Sequence, residues 1–340
     1  MMRRLLSVIS LWLLAPLVAE YLLGSLPMSL IVILPLMAAM YGSAALLIRE
    51  AARRSGGGWV TIALLGIAYG FIEEGFITQS LFNPNYLHLR LLDFGYVPAL
   101  GTGLPWLVFV VTIHTAWSIA VPIGFAEALF PARRDERWLG PVGIGIFALL
   151  FLAGAAAVAN FTYKSLPFMA SPGQFVGTGV IVVTLIAAAF AWPRFRTAPT
   201  DRAAPHPAAL FGLAFSAGSG VMLVEHFGRA LLGWQWQAGL AILVAIEAAF
   251  VALMIVFTRG RQWRDGQRFA LMAGGLGVYG VFGFLTDQEL HGRADLVPHT
   301  LMALLILVLA IVAARRTMGQ STLARAEQPS GSHGVQAPAG

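Results

Sequence analysis

The stretch GIAYGFIEEGFITQS, residues 66–80, is apolar enough to lie inside a bilayer, yet it carries two adjacent glutamates, Glu73 and Glu74. It belongs to a run from about 58 to 78. A helix needs about 20 mostly apolar residues to cross a hydrocarbon core of roughly 30 Å. Nine further segments satisfy that length, at approximately 5–24, 27–48, 105–130, 141–161, 176–193, 208–228, 237–257, 269–287 and 297–314. The whole chain agrees: 58% of its 340 residues are hydrophobic and 11% are charged, against roughly a quarter charged in a soluble domain. Mean hydropathy is +0.76. The fold class expected is all-α, a polytopic transmembrane helix bundle of about ten spans, covering residues 1–316. From 317 to 340 the chain turns to Gly, Ser, Ala, Gln and Pro and reads as a disordered cytoplasmic tail.

Charge fixes the orientation. Short cytoplasmic loops retain Lys and Arg, and here alternate loops hold 18 of the 22 basic residues: Arg3 and Arg4, Arg49 to Arg54, Arg133 to Arg137, Arg194 to Arg202, Arg259 to Arg268 and Arg315 to Arg325. Both termini are therefore expected in the cytoplasm. The net charge of +6 is explained by this topology, which removes nucleic acid as a partner and leaves the lipid bilayer. Arginine outnumbers lysine 21 to one, the codon usage of a GC-rich bacterium, so the expected location is the bacterial cytoplasmic (inner) membrane. The basic start MMRR followed by an apolar run also has the outline of a signal peptide. The run is long and another span follows at once, so an uncleaved helix is the expectation.

No cysteine is present, which excludes disulfides, thiolate metal sites and cysteine nucleophiles. There is no HExxH, Walker loop, GxSxG or Rossmann glycine pattern. The chemistry must come from ionisable groups at membrane depth, which cost a few kcal/mol each and face protein or water. On the expected topology Glu20, Glu73, Glu74, His114, Glu225, His226, Asp287 and His299 share the non-cytoplasmic half. Glu247 lies nearer mid-span, and Glu127 sits at the cytoplasmic end of its helix as an interfacial residue. Gly66, Gly70 and Glu73 follow i, i+4, i+7 and share one helix face, so Glu73 points into the bundle. Glu74 lies about 100° further round, bordering the same interior sector without aiming at the same atom. His114 shares a face with Trp117, Ser118 and Val121. Gly218 and Gly220 mark a helix that either packs tightly or unwinds. Ala273, Gly277 and Gly280 form a packing face. The outer connection Gln79–Leu104 carries a turn signal, Asn83-Pro84-Asn85, and apolar residues including Phe82, Tyr86, Leu87 and Leu89. It reads equally as a lid over Glu73 and Glu74 or as an interfacial anchor.

The Glu-Glu pair in an apolar helix, with a histidine in the following span, resembles the CPBP intramembrane proteases, the CAAX-processing and bacteriocin-processing family. The resemblance implies Glu73 as the glutamate that activates water, Glu74 beside it, and His114 in the catalytic cluster. Its pattern EExxxR, FxxxH, HxxxN is met only in part: Thr78 stands at the arginine position and Val110 four residues before His114. Ala230 and Ala303 stand four residues after His226 and His299.

Three readings of function stay open. The first is a transporter or permease that binds an ion or small polar solute with Glu20, Glu73, Glu74, His114, Glu225 and His226. The second is an intramembrane metal-dependent hydrolase acting on a membrane peptide. There Glu73, Glu74 and His114 would be catalytic, and Glu74, His114, His226 and His299 candidate ligands of a divalent metal such as zinc. The third is a non-catalytic assembly or partner protein.

Overall fold

The computed structural model describes residues 2–195, 202–231, 235–258 and 261–326. Among them are nine helical runs long and apolar enough to cross a membrane, and the last, Asp265–Met318, comprises two helices, so ten helices are numbered. They are α1 (Arg4–Leu22), α2 (Met28–Ser55), α3 (Gly58–Ile77), α4 (Leu104–Leu129), α5 (Pro141–Ser165), α6 (Pro172–Ala191), α7 (Pro207–Leu231), α8 (Trp236–Thr258), α9 (Asp265–His291) and α10 (Leu296–Ala326). The last two form one continuous apolar run, Asp265–Met318. At 1.5 Å per residue that run is more than twice the roughly 30 Å hydrocarbon thickness. The helical turn Gly292–Asp295, with Gly292 at φ +68°, breaks it into two crossings that pack on each other. Helix α10 continues to Ala326, into the segment expected to be a tail, and residues 327–340 lie outside the described residues.

The helices divide into an inner and an outer set. In α1 to α4, 56–61% of the span is buried, against 6% in α5 and α8. Their apolar side chains face outward, as expected of surfaces that meet lipid. The first span is a packed member of the bundle, with Leu11, Ala15, Val18, Tyr21 and Leu22 buried. Glycines set the closest approaches. A Cβ on Gly66 would touch the Thr115 backbone and one on Gly70 would touch Val111 and the His114 Cβ, all at 3.3 Å, so α4 lies directly against α3 where His114 stands. Helix α7 stays helical throughout, and Gly218 meets Trp117 and Val278 across the interface, so its glycines pack and do not unwind. On α9 the face against α7 is led by Gly274 and Gly277; around Gly280 there is open space.

At the arginine-rich end, the connection between α4 and α5 closes over the bundle. Arg49 is fully buried, donates to Glu127 at 2.9 Å and to the Arg134 carbonyl at 2.6 Å, pairs with Glu50 at 3.3 Å, and lies 3.4 Å over the Trp138 ring. Arg53 donates to the same Glu127 oxygen at 2.5 Å, and the Trp138 amide to Glu50 at 2.5 Å. Glu127 is thus a buried ion-pair partner and not an interfacial residue, because Arg49 and Arg53 come from the neighbouring α2 at the same depth. A guanidinium so enclosed is held by hydrogen bonds on every side, the condition under which a buried charge is tolerated.

Candidate functional site

Each of the first four helices contains one π-helical turn: Leu17–Leu22, Ala38–Gly42, Glu73–Ile77 and His114–Ala120. Such turns are rare and gather at functional positions, because one extra residue per turn re-aims side chains and loosens the carbonyl ladder. Here the Thr78 amide reaches the Glu73 carbonyl at 2.8 Å and the Ser25 amide reaches the Glu20 carbonyl at 3.0 Å, each five residues back. The four turns carry Glu20, Tyr41, Glu73 with Glu74, and His114, and these side chains form one hydrogen-bonded net.

His114 is its centre. Its Nε2 lies 2.7 Å from Glu74 Oε1 and its Nδ1 lies 3.2 Å from Glu73 Oε2 and 3.0 Å from Ser118 Oγ. The two carboxylates therefore meet the same imidazole, at opposite nitrogens, although regular helical geometry sets them about 100° apart. The other oxygen of Glu74 accepts from Thr78 Oγ1 at 2.8 Å and from the Ser80 hydroxyl. Glu73 continues the net through the Tyr41 hydroxyl, which also contacts Glu20, and Ser25 donates to Glu20 at 2.6 Å. Tyr69 packs edge-on against both Tyr41 and His114, at 6.0 and 6.1 Å. Glu73, Glu74 and His114 are 1%, 6% and 6% exposed, while Glu20 is half-buried, so the net is sealed at one end and reaches towards the surface at the other.

The hydrogen inventory of this net is decisive. A tyrosine hydroxyl has one hydrogen to give, and an ionised carboxylate only accepts. Tyr41 touches both Glu20 and Glu73, so its one hydrogen satisfies a single contact fully, and the other is shared or takes a carboxyl proton. Three carboxyl groups and one imidazole sit together, and among the described residues no lysine or arginine is bonded to them.

The other expected site residues lie elsewhere. His226 joins α7 to α9, with Nδ1 at 3.0 Å from the Met222 carbonyl and Nε2 at 3.2 Å from Thr286 Oγ1. His299 is buried beside the Phe284 ring at 4.7 Å, with Asp287 and Asp295 as charged neighbours. Glu225 is half-buried on α7, and Glu247 accepts from Thr112 at 2.6 Å. Among the described residues, only Glu73, Glu74 and His114 bring one ligand atom each within 4.8 Å of one another. The residue types suit zinc, but both imidazole nitrogens are already engaged. The 2.7 Å separation from Glu74 is shorter than the roughly 3.4 Å that two metal–ligand bonds of about 2.0–2.2 Å would span in a tetrahedral site. As arranged, the three make a hydrogen-bonded cluster.

Tyr86, from the connection between α3 and α4, faces the same net. Burial raises its phenol far above the ordinary value, and the charges of Glu74, Glu20 and Glu73 add to that, in this order, against a bond to the Thr78 side chain. Neither Tyr41 nor this role of Tyr86 is announced by spacing, since the first is a single tyrosine in an apolar span and the second follows a turn signal in a loop.

Residues 8–324 match the model of an uncharacterized membrane protein family, and the chain belongs to that family. No curated protein matches the chain, and no solved structure does.

Proposed function

We propose that this family member is a proton-coupled carrier of an ion or small polar solute, with the Glu20–Tyr41–Glu73–His114–Glu74 net as its proton site. The observation that supports the reading is the Tyr41 hydroxyl between two carboxyl groups of different helices. A net whose hydrogen bonds are completed by a carboxyl proton, and whose members come from four helices, changes its contacts when that proton leaves. Motion of helices against each other is what a carrier needs. The arginine pattern supports a bacterial cytoplasmic membrane with both termini inside and the net in the non-cytoplasmic half.

The test is proton uptake or release by proteoliposomes carrying an internal pH dye, challenged with a panel of cations and small polar solutes. At least one solute should drive dye-reported flux in the wild type, and Glu73→Gln should abolish it. Flux unchanged in Glu73→Gln sinks the proposal.

A second reading, an intramembrane hydrolase like those the Glu-Glu pair resembles, draws on the direct Glu74–His114 contact, an acid–imidazole pair suited to general-base work. Cleavage of a membrane reporter peptide by purified protein, lost in Glu74→Gln, would support it. Lack of cleavage together with solute-driven flux would exclude it.

A further inference from the structure

The connection from Gln79 to Gly103 is anchored on the net itself. Leu81 donates its amide to the Glu74 carbonyl at 3.2 Å, Ser80 bonds the Glu74 carboxylate, and Trp106 Nε1 donates to Ser80 at 3.2 Å. Gln79, at φ +58°, reverses the chain immediately after α3 and accepts from the Ala170 amide at 2.8 Å, which ties the root of the connection to the α5–α6 turn. Leu81 and Leu92 are buried beneath it, whereas Leu87 and Leu89 are about half exposed on its outer side. Between these two layers stands Tyr86, partly buried, with the charges of Glu74, Glu20 and Glu73 bearing on its phenol. The three residues that hold this tip, Leu87, His88 and Arg90, have φ of 50°, 61° and 50°. None is glycine, and left-handed backbone at bulky residues persists only where the surroundings impose it.

We propose that this connection is a gate over the acid–imidazole net. Tyr86 is its plug, and the left-handed residues Leu87, His88 and Arg90 are its hinge. In the closed arrangement the phenol fills the approach to Glu74 from the loop end of the bundle. Relaxation of the hinge to ordinary φ lifts Tyr86 and admits water and solute to the net. The gate regulates the site described above and rests on reading that site as one that exchanges with the outer solution.

The chain contains no cysteine, so single reporter cysteines need no prior engineering. Leu81→Cys and Leu92→Cys place thiols under the connection, and their reaction with a membrane-impermeant maleimide in intact proteoliposomes reports opening. Tyr86→Ala should raise both labelling rates about tenfold. Leu87→Gly, which removes the penalty of the closed backbone, should slow them severalfold. Melting temperatures within a few degrees of the parent confirm that each variant is folded. Rates indifferent to Tyr86→Ala in folded protein, or faster in Leu87→Gly, overturn the gate. Failure of the carrier reading is distinguishable: labelling that responds while no solute drives proton flux leaves the gate standing over a site with another use, and flux with unresponsive labelling removes the gate alone.

Discussion

The two ends of α2 hold two buried polar clusters built on opposite principles. At one end Arg49 is locked by Glu127, Glu50, three carbonyls and the Trp138 ring, so positive and negative groups alternate and every contact has a fixed donor. At the other, Glu20, Glu73 and Glu74 surround Tyr41 and His114, and donors are fewer than acceptors until protons are added. The first arrangement has one satisfactory state. The second has several, which differ by where the proton sits. A cluster of the first kind fixes helix positions, and on the carrier proposal one of the second kind ties them to proton occupancy.

Breaking the balanced cluster should have the largest effect. Arg49→Ala leaves Glu50 and Glu127 buried without their main partner, and removal of one member of a buried pair costs about 3–5 kcal/mol. The expected result is a large fall in melting temperature in detergent, or no folded protein; a loss below about 1 kcal/mol would show that the clamp is not structural. The comparison is sharpened by making one chemical change at both ends. Glu127→Gln takes the charge from a carboxylate that two arginines share and should cost about 3 kcal/mol. Glu73→Gln replaces a group whose bonded neighbours are a tyrosine hydroxyl and an imidazole, not an arginine. Because Gln keeps an oxygen that accepts from the Tyr41 hydroxyl, it should change stability by less than about 1 kcal/mol, the net value of one ordinary hydrogen bond, while abolishing the solute-driven proton flux of the carrier proposal. Equal destabilisation by the two variants would erase the distinction.

A third variant tests the frame that brings the unbalanced net together. Gly42 follows Tyr41 in the same π turn, and a Cβ there would overlap the Trp12 carbonyl on α1. Backbone cannot step aside as a side chain does, so Gly42→Ala should separate α1 from α2 and cost about 1–3 kcal/mol by overpacking. Because Glu20 and Tyr41 lie on those two helices, flux should fall as well. Full flux with full stability would mean that the Tyr41–Glu20 contact is dispensable.

How much of this was readable in advance follows from the range of the interactions. The spans, and the placement of Glu73 and His114 on interior faces, rest on periodicity and small-residue spacing within one helix, which a sequence displays directly. The glycine steps at 66 and 70 even indicated close packing of α3, and α4 lies there. Tyr41 was invisible because its partners lie 21 and 32 residues away on other helices, and helix pairing leaves no periodic trace. The π turns were invisible because they arise from how carbonyls are shared within the folded bundle. Arg49 had a sufficient explanation as a cytoplasmic loop charge, which hid its second role as the centre of a buried clamp. Thr78, read only as a departure from EExxxR, proves to hold Glu74 through its hydroxyl at 2.8 Å.

The smallest expected effect lies just outside the clamp, and its sign separates exposed from buried charge. Asp135 is largely exposed and lies 3.0 Å from Arg134. Partial burial raises its pKa, but the bond and charge of Arg134, then the charges of Arg53 and Arg268, outweigh that, so its folded-state value lies below the ordinary one near 3.9. A depressed carboxylate contributes stability that is fully present above the unfolded-state pKa and is lost as pH falls through the folded-state pKa. Melting curves of wild type and Asp135→Asn should therefore run parallel from neutral pH down to about 4, separated by less than about 0.5 kcal/mol because solvent screens the pair. They should converge only below that. Convergence beginning near pH 6 would assign the acid sensitivity of this end to a different carboxylate, and the clamp would then share the proton dependence that distinguishes the other end.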